Sequence, residues 1–388
     1  MRDRERSNIR GQLMKGAAQE HEVQDLISSG VLRMRWSPQI MHCAVPAQPA
    51  SEDRIRGMLF GLAIGDALGN TTESQLPGER RERYGEIRDY LPNRHAGGQC
   101  VGLPSDDTQL AFWTLEHLLD LGKIEPFRLA QLFASRQIYG IGRTTWKFIE
   151  AIHADKSWIE ASQASASNGA FTRVPPIILP HIWSSGTKIW RDIVLATAVT
   201  HNDPAAIGAS IAFSAMLVEL LTWNGCPDSS WWVDTFVKIA REIEGDNRLA
   251  PRGGPLFGKW SGPLWQFVEQ FVPQQAQSTC LEASMLWYSG AYLLETVPTA
   301  LHILMQHAAD PEEAIVRAVN DTRDNDSIAA VVGAAVGALH GYERLPERWR
   351  IGLLGRTQQS DDGRVFELVE RSLVQFRSYR SGTGGDAS

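Results

Sequence analysis

The sequence predicts an all-α protein in which many helices form one large globular body. Apolar residues recur at helical spacing through most of the chain, most clearly between Glu116 and Leu221. The alternation of apolar and polar residues that marks β-strands is scarce. Hydrophobic residues make up 43% of the chain and charged residues 21%, a globular composition with enough apolar side chains for a sizeable core.

Composition divides the 388 residues into three predicted parts. Residues 53–377 are predicted to form one helical domain, and residues 378–388 a tail rich in Gly and Ser. Residues 1–52 form an extension that is locally basic at its start and ends in a linker rich in Pro and Ala. The extension has two interpretations: a disordered tail, or an arm with one short helix at 22–27 that docks on the core or on a partner.

Charge, cysteine usage and hydropathy argue against several classes of protein. Lys and Arg number 38 and Asp and Glu 45, and the net charge of −7 argues against a nucleic-acid-binding protein. The four cysteines lie far apart, without the spacing of a metal site or a disulfide framework, which indicates reduced thiols in a cytoplasmic protein. No apolar run reaches the ~18 residues of a membrane-spanning helix, and no signal-peptide pattern is present.

Two predicted helices carry glycine at every fourth position. The glycines of the two stripes are Gly57, Gly61, Gly65 and Gly69 in the first helix, and Gly333, Gly337 and Gly341 in the second. Residues four apart lie on one face of a helix, so each stripe is free of side chains. Glycine costs about 1 kcal/mol per helical position relative to alanine, which favours close approach of another backbone at these positions. We therefore expect the two helices to cross at the stripes, and the apolar run Ile328–Leu339 to be buried.

Two acidic clusters, far apart in the chain, each precede an apolar helix. The first is Ser105-Asp106-Asp107-Thr108, and the second is Asp324-Asn325-Asp326-Ser327. Either cluster alone has an explanation in helix capping, because Asp and Ser side chains accept hydrogen bonds from the free N–H groups of a helix start. Capping uses one residue of each cluster, whereas the remaining carboxylates repel one another unless a cation lies between them. Mg²⁺ and Mn²⁺ prefer such oxygen ligands, so the pair of clusters predicts one binuclear site.

The stretches between the two clusters contain candidates for anion binding. Gly140-Ile141-Gly142-Arg143-Thr144-Thr145 is a weak phosphate-loop pattern before a helix. Ser165-Ala166-Ser167-Asn168-Gly169-Ala170 is rich in small polar residues whose backbone N–H groups can face an anion. His201 precedes another helix, where it is either near the ligand or a satisfied helix-end histidine.

Residues 223–272 are irregular, as expected of a lid or a packing insertion, and helices are predicted again over 286–304 and 311–319.

These motifs, in this order, resemble the ADP-ribosylglycohydrolase family, of the type that reactivates dinitrogenase reductase. The resemblance rests on both acidic clusters and on Gly65-Asp66-Ala67-Leu68-Gly69 with Glu73, Asn168-Gly169-Ala170 with Arg173, and Thr200-His201. It covers roughly residues 53–349. It implies an all-α fold of orthogonally packed helices, two Mg²⁺ or Mn²⁺ ions as cofactors, and removal of ADP-ribose from a modified side chain.

The resemblance also implies roles for residues of this chain. The implied metal ligands are Ser105, Asp106, Asp107, Asp324, Asp326 and Ser327. Glu73 would lie beside the scissile ribose, and the predicted catalytic residues are Glu73, Asp107 and Asp324. The predicted substrate-binding residues are Gly140, Gly142, Ser167, Asn168, Gly169 and His201. The chain departs from the family's usual pattern in Thr322-Arg323, where Gly-Gly is common, and in Asn325, where Thr is usual.

Three functions are compatible with these residues. The first is a metal-dependent hydrolase of ADP-ribosylated protein, acting at arginine. The second keeps fold and metals but cleaves serine-ADP-ribose, another small ADP-ribose conjugate or an end of poly-ADP-ribose. The third is an immunity-type protein that also binds and blocks an ADP-ribosylating toxin or transferase through its N-terminal arm. Breaking the glycosidic bond develops positive charge at the ribose C1′, which a carboxylate such as Glu73 stabilises.

Overall fold

A computed structural model describes residues 20–47, 50–73, 75–183, 185–358 and 361–381. In these ranges the secondary structure is helical apart from isolated bridges and one antiparallel hairpin of two-residue strands, Pro92–Asn93 (β1) and Gln99–Cys100 (β2). The α-helices, numbered α1 to α18 in chain order, are Glu20–Ser28, Pro38–Met41, Glu52–Asn70, Pro77–Tyr84, Asp106–Leu121, Pro126–Ser135, Arg143–His153, Trp158–Ala161, Lys188–Ala198, Pro204–Leu220, Ser229–Glu244, Leu264–Phe271, Cys280–Trp287, Leu293–His307, Pro311–Asp321, Asn325–His340, Glu347–Gly352 and Arg364–Arg377. The all-α prediction is confirmed.

Helices α3 (Glu52–Asn70) and α16 (Asn325–His340) pack against each other along their glycine stripes. A Cβ atom on Gly61 would overlap the carbonyl of Gly333, and one on Gly57 would overlap the carbonyl of Gly337. At the end of the contact, a Cβ on Gly69 would lie 2.5 Å from the backbone of Asp326. The predicted crossing is confirmed, and it joins the last turn of α3 to the first turn of α16.

The described part of the N-terminal extension belongs to the same core as the helical domain. Val23 and Leu26 of α1 are buried, as is Leu32 in the turn that follows. The Arg33 N–H donates to the side-chain oxygen of Asn202 at 2.8 Å. Residues on both sides of the predicted boundary at residue 53 thus share one core. The basic stretch that suggested a protein partner lies among residues 1–19, outside the described residues.

Two stretches differ from the helices predicted from the sequence. Residues 223–272 are less irregular than expected, because they contain α11 (Ser229–Glu244) and α12 (Leu264–Phe271). The predicted helix over 286–304 is interrupted between α13 and α14, where Tyr288 and Ser289 adopt left-handed φ values of 79° and 41°. The Ser289 carbonyl there accepts the N–H of Asp324 at 3.0 Å. The interruption therefore holds the residue that begins the second acidic cluster.

Two further expectations concern membranes and thiols. Over the residues that the structure describes, no helix combines the length and apolar character that crossing a bilayer requires. The four cysteines carry free thiols, and Cys280 alone among them is buried.

Candidate active site

One cleft of about 560 Å³ collects residues from regions far apart in the chain. Its walls come from the starts of α5, α7 and α16, from the turn at Asn168–Ala170, and from residues next to α10 and α14. The predicted site residues that line it are Glu73, Asp106, Asp107, Gly140, Gly142, Ser167, Asn168, Gly169, His201, Asp324, Asp326 and Ser327. Of the predicted residues, Ser105 alone does not line the cleft. It precedes α5, where its Oγ accepts the Asp107 N–H at 3.4 Å.

The first acidic cluster is held in place by Asp66, a fully buried carboxylate inside α3. Its oxygens accept the Ser105 N–H at 2.9 Å, the Thr108 N–H at 3.0 Å and the Thr108 hydroxyl at 2.5 Å. A buried carboxylate requires such donors, because desolvation of an unpaired charge is costly. The sequence analysis assigned Asp66 no role, although a charged residue in a glycine-rich apolar helix was a signal that it must be partnered.

The second cluster meets the first directly. Asp324 stands at the cap position of α16, but its side chain makes no capping hydrogen bond. Instead, its Oδ2 accepts from the Asn168 amide at 2.5 Å. The Ser327 hydroxyl donates to Oδ2 of Asp107 at 2.8 Å, across the two clusters. Capping therefore does not account for Asp324, and the structure brings the two clusters together.

Glu73 reaches this group from the turn after α3. The buried Asn325 amide donates to the carbonyl of Gly69 at 3.1 Å and to the hydroxyl of Thr72 at 3.0 Å, which fixes the turn against α16. Carboxylate oxygens of Glu73, Asp324 and Asp326 lie within 4.8 Å of one another. Glu73 is exposed, whereas the two aspartates are buried.

The carboxyl groups of the cleft all have raised pKa values. Desolvation and the charge of Asp324 raise the pKa of Glu73 to about 7. Desolvation raises the pKa of Asp107 to about 8, and the charge of Asp66 contributes to this shift. Desolvation also raises the pKa of Asp324 to about 6. Desolvation and neighbouring carboxylates also raise the pKa values of Asp106 and Asp326 well above the ordinary range. Such mutual repulsion is relieved by a hard divalent cation, and the donor set of carboxylate and hydroxyl oxygens fits Mg²⁺ or Mn²⁺.

A second wall of the cleft is rich in hydroxyl groups. The hydroxyls of Thr144 and Ser165 are 2.9 Å apart, and the Ser167 hydroxyl is 3.0 Å from that of Thr144 and 3.2 Å from that of Ser165. Nε2 of His201 is 2.8 Å from the Ser167 hydroxyl. Gly140 has φ +76°, and its bare backbone faces the carboxylate of Asp106, which a Cβ would approach to 3.0 Å. This wall offers uncharged hydrogen-bond donors beside an acidic one.

The cleft also contains residues that the sequence analysis did not single out. The Arg252 guanidinium lies 4.4 Å from the centre of the Tyr292 ring and pairs with the buried Glu295 at 2.9 Å. Arg252, Tyr292 and Asp203 all line the cleft. No spacing in the sequence links these residues, because Arg252 and Glu295 meet only through the fold.

Comparison with known proteins identifies the family to which the chain belongs. The family model described as ADP-ribosylglycohydrolase matches residues 47–380. The ADP-ribosyl-dinitrogen reductase glycohydrolase of Rhodospirillum rubrum is 26% identical, with 78% of this chain and 90% of the relative covered. The ADP-ribosylarginine hydrolase Tri1 of Pseudomonas putida is 26% identical, with 81% of this chain and 77% of the relative covered.

The fold also matches a solved structure described as an ADP-ribosylglycohydrolase-related protein complex. The TM-score is 0.60 at 23% sequence identity, and the match covers 84% of this chain and 98% of the solved chain. The family model spans most of the chain, so the resemblance read from the motifs is confirmed. The chain belongs to the ADP-ribosylglycohydrolase family, a family of hydrolases that remove ADP-ribose.

Proposed function

We propose that this protein is a metal-dependent hydrolase that removes ADP-ribose from modified proteins, with ADP-ribosyl-arginine as its substrate. The observation that carries the proposal is the meeting of both acidic clusters and Glu73 in one cleft. The choice of arginine draws on the relative from Pseudomonas putida, which is named an ADP-ribosylarginine hydrolase. Action at serine-ADP-ribose or poly-ADP-ribose is the alternative, and it differs only in the leaving group.

Two Mg²⁺ or Mn²⁺ ions would be held by Asp106, Asp107, Asp324 and Asp326, with the Ser327 hydroxyl as a further ligand. The raised pKa values of these carboxyl groups favour this, because they reflect desolvation first and repulsion between carboxylates second, and bound cations would offset both. When bound, such ions would bind the ribose hydroxyls and lower the pKa of a bound water. Ser105 as a ligand stays a prediction, since its hydroxyl faces the start of α5.

The side chains of this chain would bind and orient the substrate for cleavage. Glu73 is exposed in the cleft with a pKa of about 7, so its carboxylate can stabilise positive charge at C1′ or transfer a proton near neutral pH. The hydroxyl wall and the turn at Asn168–Ala170 would hold the diphosphate. Binding energy from that remote group would orient the ribose against Glu73.

The cytoplasmic location and the immunity role stay predictions. The first follows from the cysteine usage of the sequence. The second depends on the basic stretch within residues 1–19 as the partner-binding arm.

One assay tests the reaction, the linkage and the metal together. Two peptides of equal sequence, ADP-ribosylated at arginine or at serine, are incubated with the protein in EDTA, then with Mg²⁺ or Mn²⁺, and free ADP-ribose is measured. Release from the arginine peptide only when metal is present is the expected result. Release from the serine peptide instead would favour the alternative linkage. Undiminished release in EDTA would refute the metal requirement.

Two variants connect the assay to the acidic clusters. Asp107→Ala and Asp326→Ala each remove an anionic ligand, so both are expected to abolish release and to weaken Mg²⁺ binding in calorimetry. Asp120→Ala is the matched control, because Asp120 is exposed at the other end of the same helix as Asp107. The control is expected to retain wild-type activity.

A further inference from the structure

A chain of hydrogen bonds connects a buried arginine to the hydroxyl wall of the cleft. Arg173 is fully buried, and its guanidinium donates to the carbonyl of Gly169 at 3.2 Å and to the hydroxyl of Thr200. The Thr200 hydroxyl is 2.7 Å from Nδ1 of His201. Nε2 of the same ring is 2.8 Å from the Ser167 hydroxyl, which lines the cleft. Neither Arg173 nor Thr200 lines the cleft. Thr200 reaches it through His201, and Arg173 reaches it through Thr200 and through the carbonyl of Gly169.

The donors and acceptors along this series of hydrogen bonds are fixed by its first member, Arg173. The Arg173 guanidinium can only donate, so it occupies a lone pair of the Thr200 oxygen. Thr200 is fully buried, and among the described residues Nδ1 of His201 is the one acceptor within reach of its hydroxyl hydrogen. Thr200 therefore donates to Nδ1, because the reverse would leave a buried hydroxyl hydrogen without an acceptor. A neutral imidazole that accepts at Nδ1 carries its hydrogen on Nε2, and so His201 donates to Ser167.

This direction determines how many hydrogens the wall can offer to a ligand. We call the three linked hydroxyls of Thr144, Ser165 and Ser167 the hydroxyl triad. When His201 donates to Ser167, the hydrogens of all three hydroxyls stay within the triad or face the cleft. In the opposite tautomer of His201, Ser167 would donate its hydrogen to Nε2, and the triad would have one hydrogen fewer to offer to a ligand. The carboxylates of the same cleft repel an anion, so each donor of the hydroxyl triad matters for holding one.

We propose that Arg173 and Thr200 are positioning residues that keep His201 in its Nε2–H tautomer, so that the hydroxyl triad presents its full set of hydrogens to the diphosphate of ADP-ribose. The ligand in this statement rests on the proposed function, whereas the tautomer does not. The direct contacts with the diphosphate come from the triad, and Arg173 and Thr200 act only by orienting it.

The tautomer is measured on the ligand-free protein by long-range ¹H–¹⁵N NMR with ¹⁵N-labelled histidine. The spectrum of the His201→Gln variant assigns the signals, and the expected result is a protonated Nε2 and an unprotonated Nδ1. Thr200→Val keeps the shape of the side chain but removes the donor to Nδ1, so a mixture of tautomers is expected. Calorimetry with ADP-ribose and Mg²⁺ should then show an increase in Kd of roughly threefold to tenfold. With substrate, the change is expected in KM rather than in kcat.

Two variants separate this role from a general effect on the fold. Thr200→Ser retains the hydroxyl and is expected to restore both the tautomer and the affinity. Thr197→Val removes a buried hydroxyl one turn earlier for which the described residues provide no partner, and it is expected to change neither.

Three results would overturn the inference. A wild-type His201 protonated at Nδ1 would contradict the inferred hydrogen bond from Thr200 to Nδ1. An unchanged Kd in Thr200→Val, despite a changed tautomer, would show that the triad does not depend on it. A wild-type protein that binds no ADP-ribose would remove the proposed function and the ligand of the triad, while the tautomer measured without ligand would still stand.

Discussion

Glu73 differs from the aspartates of the cleft in its access to solvent. Asp324 and Asp326 are buried, whereas Glu73 is exposed within the same group of oxygens. Asp324 also accepts a hydrogen bond from Asn168, whereas none of the residues that the structure describes donates one to the Glu73 carboxylate. A substrate that enters the cleft can therefore approach Glu73 directly, as its proposed position beside the scissile bond requires.

Replacing Glu73 by glutamine tests this position. Glu73→Gln keeps the size of the side chain and removes its charge, so turnover is expected to fall by ~10²-fold or more. ADP-ribose binding, measured by calorimetry, should change little. Wild-type turnover in this variant would mean that Glu73 is only a turn residue.

The raised pKa values predict that Mg²⁺ binding depends on pH. Without metal, the pKa values of Asp324, Glu73 and Asp107 are about 6, 7 and 8. At a pH below its pKa each carboxyl group holds a proton, and a cation that binds there must displace that proton. Apparent affinity for Mg²⁺ should therefore rise from pH 6 to pH 8. Calorimetry in two buffers of different ionisation enthalpy measures the proton release, which should decline over the same interval. Affinity that is constant from pH 6 to pH 9 would contradict the assignment.

Which site residues were predictable depends on whether their signal is local. Ser327 and its neighbours form a compact acidic cluster, so the second half of the site was readable from four consecutive residues. Asp66 and Arg252 were not, because their partners Thr108 and Glu295 lie far away in the chain. Their roles come from contacts that only the fold creates.

The crossing of α3 and α16 sets the distance between Glu73 and the second acidic cluster. Gly69 lies against the backbone of Asp326, and the Asn325 side-chain amide donates a hydrogen bond to the carbonyl of Gly69. Any side chain inserted between the two helices would push the turn that carries Glu73 away from α16. We therefore expect the glycine stripes to influence the proposed metal site as well as stability.

A single methyl group at the crossing should show both effects. Gly61→Ala places a Cβ against the carbonyl of Gly333, and we expect the free energy of unfolding to fall by about 1–3 kcal/mol, as for other overpacked sites. Mg²⁺ affinity should fall as well. Gly78→Ala in α4 is the control, since a Cβ there meets no atom within 4 Å and alanine favours a helix. Urea unfolding of both variants gives the comparison, and equal stabilities would contradict the crossing.

The helices themselves were predictable to the extent that one local pattern continued unbroken. The apolar run Ile328–Leu339 is buried throughout, as expected from its composition. The interruption at Tyr288 and Ser289 was not predictable, because left-handed φ values are rare in such residues and depend here on contacts with residues 323 and 324. Tertiary contacts overrode the helical spacing at that point.

In the molecule as a whole, the described part of the N-terminal arm contributes to the core. Val23, Leu26 and Leu32 are buried, and Val45 bridges to Gly186. Removing residues 1–52 would expose the surfaces that these side chains cover. We therefore expect a lower melting temperature for such a shortened protein, contrary to the expectation for a disordered tail.

A point variant measures the contribution of the arm more cleanly. Leu26→Ala removes a buried side chain of α1, so the free energy of unfolding is expected to fall by about 2–5 kcal/mol. Gln24→Ala, on the exposed face of the same helix, should change it by less than about 0.5 kcal/mol. Denaturant unfolding of the two variants decides between a docked and a detached arm, since a detached arm predicts no difference.

The pairing of α3 with α16 also has a consequence for synthesis on the ribosome. Roughly 250 residues separate the end of α3 at Asn70 from the start of α16 at Asn325, which at about 5–20 residues per second corresponds to on the order of 10–50 s of translation. Throughout that interval the bare glycine face of the nascent α3 has no partner, and its apolar surface is open to chaperones. The two acidic clusters meet only after α16 has emerged, so a growing chain can complete the candidate site only once the second cluster has been synthesised.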